Sequence, residues 1–262
     1  MVFRIIVNCG PAEAYIGKCI ASIRCQSFVN WQAQITIDPC GDRTLQEAVS
    51  ARDADPRIDI HANETRRYSM VNLIQAIDRS AADFEDVVVV LDGDDWFATP
   101  HALEIIHNTY KTFQCWMTYG SWVAEPPIMP GMWPAYPEGT TDFRHAPWLG
   151  TAVRTWKKWL WDLIDDRDFR DTRGNYFRVT EDRAAMLPML EMSGMERAKH
   201  IPELLMIYNR SSPYACAYTL RDEMLANSEY LQMRPPYPRL AEKRATGAGP
   251  LSSARGNSIS ER

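Results

Sequence analysis

Residues 87–100 read VVVVLDGDDWFATP, an apolar run that stops at three carboxylates, Asp92, Asp94 and Asp95, with Gly93 between the first two. Four valines and a leucine in succession suit a strand buried on both faces, and such strands belong to parallel sheets. Carboxylates crowded at the end of a buried strand repel one another and are costly to desolvate, so a cation or strong donors must meet them there. Two Asp separated by one residue can direct oxygens at a single hard cation. Mg²⁺ or Mn²⁺ held in this way keeps positions open for a diphosphate. The competing reading is an Asp-rich turn that caps the helix to follow.

Upstream, FRIIVN (3–8), QAQITID (32–38) and RIDIHA (57–62) read as three more strands. Between them Ile16, Cys19, Ile20 and Ile23, and later Met70, Leu73, Ile74 and Ile77, recur at the spacing of amphipathic helices. Strand, helix, strand, strand, helix, strand predicts an α/β fold with a mainly parallel, Rossmann-like sheet flanked by helices, in a single domain. In such sheets ligands bind beyond the carboxyl ends of the strands, where Asp38 and the Asp92 cluster would lie. Downstream, Thr99-Pro100 opens a helix that carries Leu103, Ile106 and Tyr110 on one face.

From residue 115 onward the pattern loosens. MTYGSW (117–122) reads as a strand and PPIMPGMWPAYPEG (126–139) as an irregular excursion. RTWKKWLWDLI (154–164) places Trp156, Trp159, Leu160 and Leu163 on one helical face, and RVTEDRAAMLPMLEMSG (178–194) predicts a helix opened by Thr180 and either kinked at Pro188 or divided there into two short pieces. After residue 235 the chain is rich in Pro, Gly, Ser and charge, and residues 235–262 are expected to form a disordered tail.

A net charge of −5 over 262 residues speaks against nucleic acid as a partner, because affinity for phosphate backbones comes from a basic face. The six cysteines form no C-x-x-C pair and the five histidines no ligand spacing, which argues against zinc and for reduced thiols in the cytoplasm. No window approaches the roughly 20 apolar residues of a bilayer span. The mixed basic and aromatic run at 154–163 adds peripheral contact with an anionic membrane or a lipid-linked acceptor to the expectations, although four aspartates follow closely.

Taken with LDGDDW, four further stretches resemble the family-two inverting glycosyltransferases of the GT-A fold, which use nucleotide-diphosphate sugars. CIASIRCQSFVNW (19–31) is similar to that family's first helix, ITIDPCGDRT (35–44) to its acidic second-strand turn, EDRAAMLPMLEMSG (181–194) to its catalytic acidic segment, and IPELLMIYNR (201–210) to the strand after it. The resemblance spans residues 3–212. It implies a GT-A domain over 1–234, with a nucleotide-sugar half at about 1–100 and an acceptor half at about 101–234. It also implies a donor that is a UDP-sugar, a metal ion (Mn²⁺ or Mg²⁺), and a saccharide, lipid-linked or protein acceptor. Carried over by position, Asp38 meets the nucleotide base, Asp92 the ribose or metal, Asp94 the metal, with Gly93 in the same nucleotide-binding turn. Asp182 becomes the catalytic base, with Glu181 as the alternative. Arg66, Arg67 and Arg210 stand where guanidinium groups can meet the diphosphate. Two departures are visible: the first strand ends in Asn-Cys-Gly-Pro, and Pro39 replaces a second acidic residue.

The residues also allow a haloacid-dehalogenase-like phosphatase, in which Asp92 attacks phosphorus beside Mg²⁺. Against it, the motif follows about ninety residues of strand-helix pattern, and Trp96 stands where a small hydroxyl residue is expected. A third reading is a non-catalytic protein that has kept the GT-A fold for binding. Neither acidic pair is needed for folding, which disfavours it.

Overall fold

The computed structural model describes residues 1–126, 134–214, 219–247 and 249–251. Its sheet is organised around β1 (Phe3–Cys9), buried at every position, which pairs in parallel with β2 (Trp31–Ile37) on one side and β4 (Val87–Asp92) on the other. A third parallel strand, β3 (Ile58–Ala62), lies outside β2. Because these central strands are covered on both faces, β4 shows no polar alternation in sequence. Phe3, Ile5, Val7, Val87, Val89 and Leu91 enter one core, and Ile6, Val88 and Val90 the other.

Helices close both faces. The first core receives Ile16, Cys19, Ile20 and Ile23 of α1 (Ile16–Arg24), the stripe predicted from their spacing. On the opposite face, α3 (Tyr68–Arg79) buries Met70, Leu73 and Ile77, while Ile74 packs at the core's margin. The intervening α2 (Thr44–Arg52) left no sequence signal, since it buries only Thr44 and Ala48. The predicted helix after the acidic turn is α4 (Ala102–Phe113), with Leu103, Ile106 and Tyr110 buried. It begins after His101, whose amide donates to Thr99 Oγ1 at 3.2 Å.

Past β4 the sheet becomes mixed. The two-residue β5 (Trp96–Phe97) pairs antiparallel with β8 (Ala198–Asn209), β8 runs parallel to β6 (Met117–Glu125), and β7 (Arg154–Lys157) lies antiparallel between β4 and β6. The spatial order is β3-β2-β1-β4-β7-β6-β8-β5, a mixed and mainly parallel sheet in one domain. Part of the predicted excursion, 127–133, lies outside the described residues.

Three expectations are corrected. The stretch 154–164 is strand first: Trp156 pairs with Val88 and Met117, and only Lys158–Trp161 (α5) is helical. Unpaired edges of β4 and β6 need a partner there, and that requirement overrides the helical spacing of the tryptophans. With Trp156, Trp159 and Trp161 buried, the run offers no aromatic face to a membrane.

In α6 (Glu181–Arg197) the helical geometry continues through Pro188 and fails at Gly194, where φ is 56° and ψ 176°. The turns around Pro188 are held by buried neighbours on every side, from Ala184 to Met192. Gly194 sits at positive φ, where a Cβ would lie 2.6 Å from Cζ of Arg239.

The third correction concerns residues 235–247, which were expected to be disordered. Tyr237 is buried, accepts the Asp165 amide at 2.9 Å, donates its own amide to Glu191 at 2.9 Å and hydrogen-bonds Asp168 through its hydroxyl. The Leu240 amide donates to Met192 O at 2.9 Å. A few anchors and backbone bonds hold a segment whose composition reads as a tail. Residues 252–262 lie outside the described ones.

Candidate active site

Parallel pairing of β1, β2 and β4 brings their carboxyl ends to one edge, and the acidic turn stands there. Asp92 closes β4, and Gly93 donates its amide to Asn8 O at 2.8 Å. A Cβ on Gly93 would come within 2.4 Å of Cys9 Sγ and 2.7 Å of Cys9 Cβ, so the glycine of the motif is required by the close approach of β1. Gly93→Ala is therefore expected to cost about 1–3 kcal/mol as the two strands are forced apart. Denaturant unfolding of the variant measures this, and an unchanged midpoint would refute the clash.

The three carboxylates of the turn divide by role. Asp95 is 1% exposed and accepts the Asn209 amide at 2.8 Å, so it fastens the turn to the end of β8. Burial pushes Asp94 upward in pKa, opposed by a hydrogen bond with Ser212. Burial also pushes Asp92 up to about 6, with Arg154 opposing and the charges of Asp94 and Asp182 adding to the rise. Such a pair lacks positive charge.

The cation that the structure does supply is Arg154, a residue not singled out in the sequence. As the first residue of β7 it pairs with Val90, which carries its guanidinium under the end of β4. It lies 3.6 Å from Asp92 and 3.9 Å from both Glu181 and Asp182, and it is buried. Reading 154–164 as a strand would have aimed it at the acidic turn; the helical reading hid it.

Glu181 and Asp182 begin α6 after Thr180, which adopts a left-handed backbone with φ of 73°. Ser69 Oγ lies 2.8 Å from Glu181 Oε2, and burial pushes the Glu181 carboxyl up to about 7, with the Asp182 charge adding and Arg154 opposing. The side chain of Asp182 is 31% exposed against 14% for Glu181, so Asp182 is the one open to an incoming molecule.

The remaining predicted residues arrive at the same edge in different states. Asp38 is buried and already accepts three bonds: from Asn63 Nδ2 at 2.8 Å, the Arg67 amide at 3.0 Å and the Tyr68 amide at 2.9 Å. An anion facing the first amides of α3 complements that helix end. Of the roughly four acceptor sites a carboxylate offers, three are therefore filled. Arg66 lies 4.7 Å over the Tyr68 ring and its charge reaches the Cys40 thiol, next to the end of β2. Arg67 instead lines a cleft on α3. Arg210 follows β8, its amide on Glu125 O at 2.8 Å, one residue beyond the Asn209 that binds Asp95.

Among the described residues no three His, Cys, Asp or Glu side chains converge as a complete metal cage. The donor set nevertheless fits Mg²⁺ or Mn²⁺, which are usually held through one or two carboxylates and completed by substrate phosphates. Two half-buried carboxylates raised in pKa at a strand end meet that requirement.

The model of glycosyl transferase family 2 matches residues 4–167. Solved structures share the fold. S. aureus TarS 1-349 in complex with UDP-GlcNAc superposes with a TM-score of 0.60 at 16% identity, covering 83% of this chain and 61% of that one. Mannosyltransferase PcManGT from Pyrobaculum calidifontis, in complex with GDP-Man and Mn²⁺, gives 0.55 at 14% identity over 84% and 60%. Glucosyl-3-phosphoglycerate synthase from Mycobacterium tuberculosis, with Mn²⁺, UDP and glucosyl-3-phosphoglycerate, gives 0.54 at 12% identity over 88% and 77%. The chain thus spans about 60% of the length of the TarS 1-349 chain. No curated protein sequence matches it. No helix among the described residues is long and apolar enough to cross a membrane. With a family model matched over more than half its residues, the chain belongs to glycosyl transferase family 2.

Proposed function

We propose that the protein moves a sugar from a nucleotide-diphosphate sugar, a UDP-sugar in the first instance, to an acceptor hydroxyl with inversion at the anomeric carbon. One observation carries the reading: carboxylates from the end of β4 and from the start of α6 meet over a single buried guanidinium, with all three contacts inside 4 Å. The strand-end aspartate and the helix-start pair therefore serve one reaction centre. The complexes of TarS with UDP-GlcNAc and of PcManGT with GDP-Man and Mn²⁺ support a nucleotide-sugar donor and a divalent ion.

In this mechanism Asp182 takes the proton from the acceptor hydroxyl as its oxygen attacks the anomeric carbon. Glu181, fixed by Ser69, backs that carboxylate, and Arg154 keeps the negative groups of both sides in register. Asp92 and Asp94 would hold Mn²⁺ or Mg²⁺, which neutralises the diphosphate and makes it a leaving group. Arg66, in the turn between β3 and α3, and Arg210, after β8, stand as further donors to phosphate oxygens. Asp38 fixes the amides of α3 against which the base lies.

The reading is tested by calorimetric titration of UDP, GDP and dTDP with and without Mn²⁺. Loss of a group that merely supports a metal ligand costs about 10–100-fold in metal affinity, so Asp94→Asn is expected to weaken metal-dependent nucleotide binding by at least that factor. Absence of binding for all three nucleotides would refute the proposal. An α product from an α donor, seen in the anomeric proton couplings, would refute inversion.

A further inference from the structure

Arg67, Tyr68 and Val71 of α3 form one wall of a cleft of about 470 Å³; its other walls are the loop 170–178 and Glu223 and Asn227 of the last helix, α7 (Arg221–Met233). Arg67, Arg170, Arg173 and Arg178 line it against two carboxylates, Asp171 and Glu223. In a chain of net charge −5 this local surplus of guanidinium points to an anion.

The arginines are held as a receptor would hold them. Arg170 stacks 3.7 Å over the Tyr176 ring with its Nε on Asp166 at 2.6 Å, and Arg178 lies 4.3 Å over Tyr68 and 3.6 Å from Glu223. Stacking and these bonds, with Arg170 Nη1 also on Gly174 O at 3.0 Å, fix the guanidinium planes, and planar forks of this kind suit the paired oxygens of a phosphate. Arg173, 84% exposed, stands at the mouth, 3.7 Å from Asp171.

Two facts place this anion with the acceptor. Asp38, Asp92 and Asp94 do not line the cleft, so it is separate from the acidic turn that faces the donor diphosphate. Yet it adjoins the Glu181–Asp182 pair: Ser69 Oγ lies 3.1 Å from the carbonyl oxygen of Arg178, a lining residue, and 2.8 Å from Glu181 Oε2. We propose that the cleft binds the phosphate of a phosphate-bearing acceptor and so tethers its hydroxyl beside Asp182. This rests on the glycosyltransferase reading above.

The test is calorimetry on the full chain with glycerol 3-phosphate as the probe, in the presence and absence of UDP and Mn²⁺. Glycerol 3-phosphate is expected to bind wild type equally with UDP present. Arg173→Glu, an exposed position, should weaken it at least tenfold, and Arg178→Gln should weaken it in the same direction, while both keep UDP affinity within twofold. Mutual exclusion of glycerol 3-phosphate and UDP would overturn the inference, because the anion site would then be the donor's. So would UDP binding without any glycerol 3-phosphate binding, or probe affinity unchanged in both variants. Failure of UDP, GDP and dTDP alike to bind would instead bring down the functional reading, and this inference with it.

Discussion

Asp182→Asn is expected to lower kcat by about 10²–10⁴-fold, the usual contribution of a positioned base, with nucleotide affinity in the presence of Mn²⁺ held within twofold. Asparagine keeps the shape of the side chain and removes its capacity to accept a proton. Because Asp182 is 31% exposed, the change leaves no buried group stranded. The comparison that decides the assignment is Glu181→Gln. If that variant loses more turnover than Asp182→Asn, the base is Glu181. Steady-state transfer kinetics together with nucleotide titration separate the two outcomes.

Glu181 also carries a pH signature. Its carboxyl is pushed up to about 7 from an ordinary 4.5, so between those values the folded chain holds a proton that the unfolded chain has released. Stability must then fall as pH rises through that window. Glu181→Gln should flatten the fall, leaving the variant more stable than wild type at pH 8 relative to pH 4. Unfolding midpoints at the two pH values give the answer, and a wild-type curve without the decline would contradict it.

The second large effect belongs to stability. Glu191→Ala is expected to cost about 3–5 kcal/mol, since it leaves a buried guanidinium without its counter-charge. Arg144 donates to both Glu191 oxygens, at 2.6 and 2.9 Å, and to Leu231 O at 2.6 Å, and both side chains are buried. Glu191 further accepts the Tyr237 amide, so its loss also frees the segment that follows α7. Denaturant unfolding should show the drop, and limited proteolysis should show faster cutting within 235–247. Replacing both partners, Arg144→Met with Glu191→Leu, should recover most of the lost stability, because burying an ion pair is costly in itself. A double variant as unstable as Glu191→Ala would show that Glu191 acts through Tyr237 alone.

The donor side of the molecule was legible in sequence because its signals are local. The unbroken valines of β4 and the stripes of α1 and α3 depend on period alone, and each early strand ends within one residue of the expected position. The later half depends on pairing between distant residues. Trp156 and Trp159 carry a helical spacing, yet Trp156 lies in β7 because β4 and β6 need a strand between them. Pro188 carries the strongest local signal for a break in α6, but packing holds the helix there and Gly194 provides the break. The site followed the same division. Asp92, Asp94, Glu181 and Asp182 were visible as motifs, whereas Arg154 became visible only once β7 was placed beside β4. Asp38 was found but not its three internal donors, which come from residues 63–68.

The position of Arg154 bears on the order in which this protein is made. Synthesis delivers Asp92 and Asp94 well before Arg154, and Glu181 and Asp182 later still. The first half can pair its strands as it leaves the ribosome, but its acidic turn has no guanidinium to meet until β7 docks on β4. The same side chain then meets Glu181 and Asp182 as α6 follows. A nascent chain that has folded only its first half therefore lacks the charge that faces its acidic turn, and gains it only when the second half closes on the first.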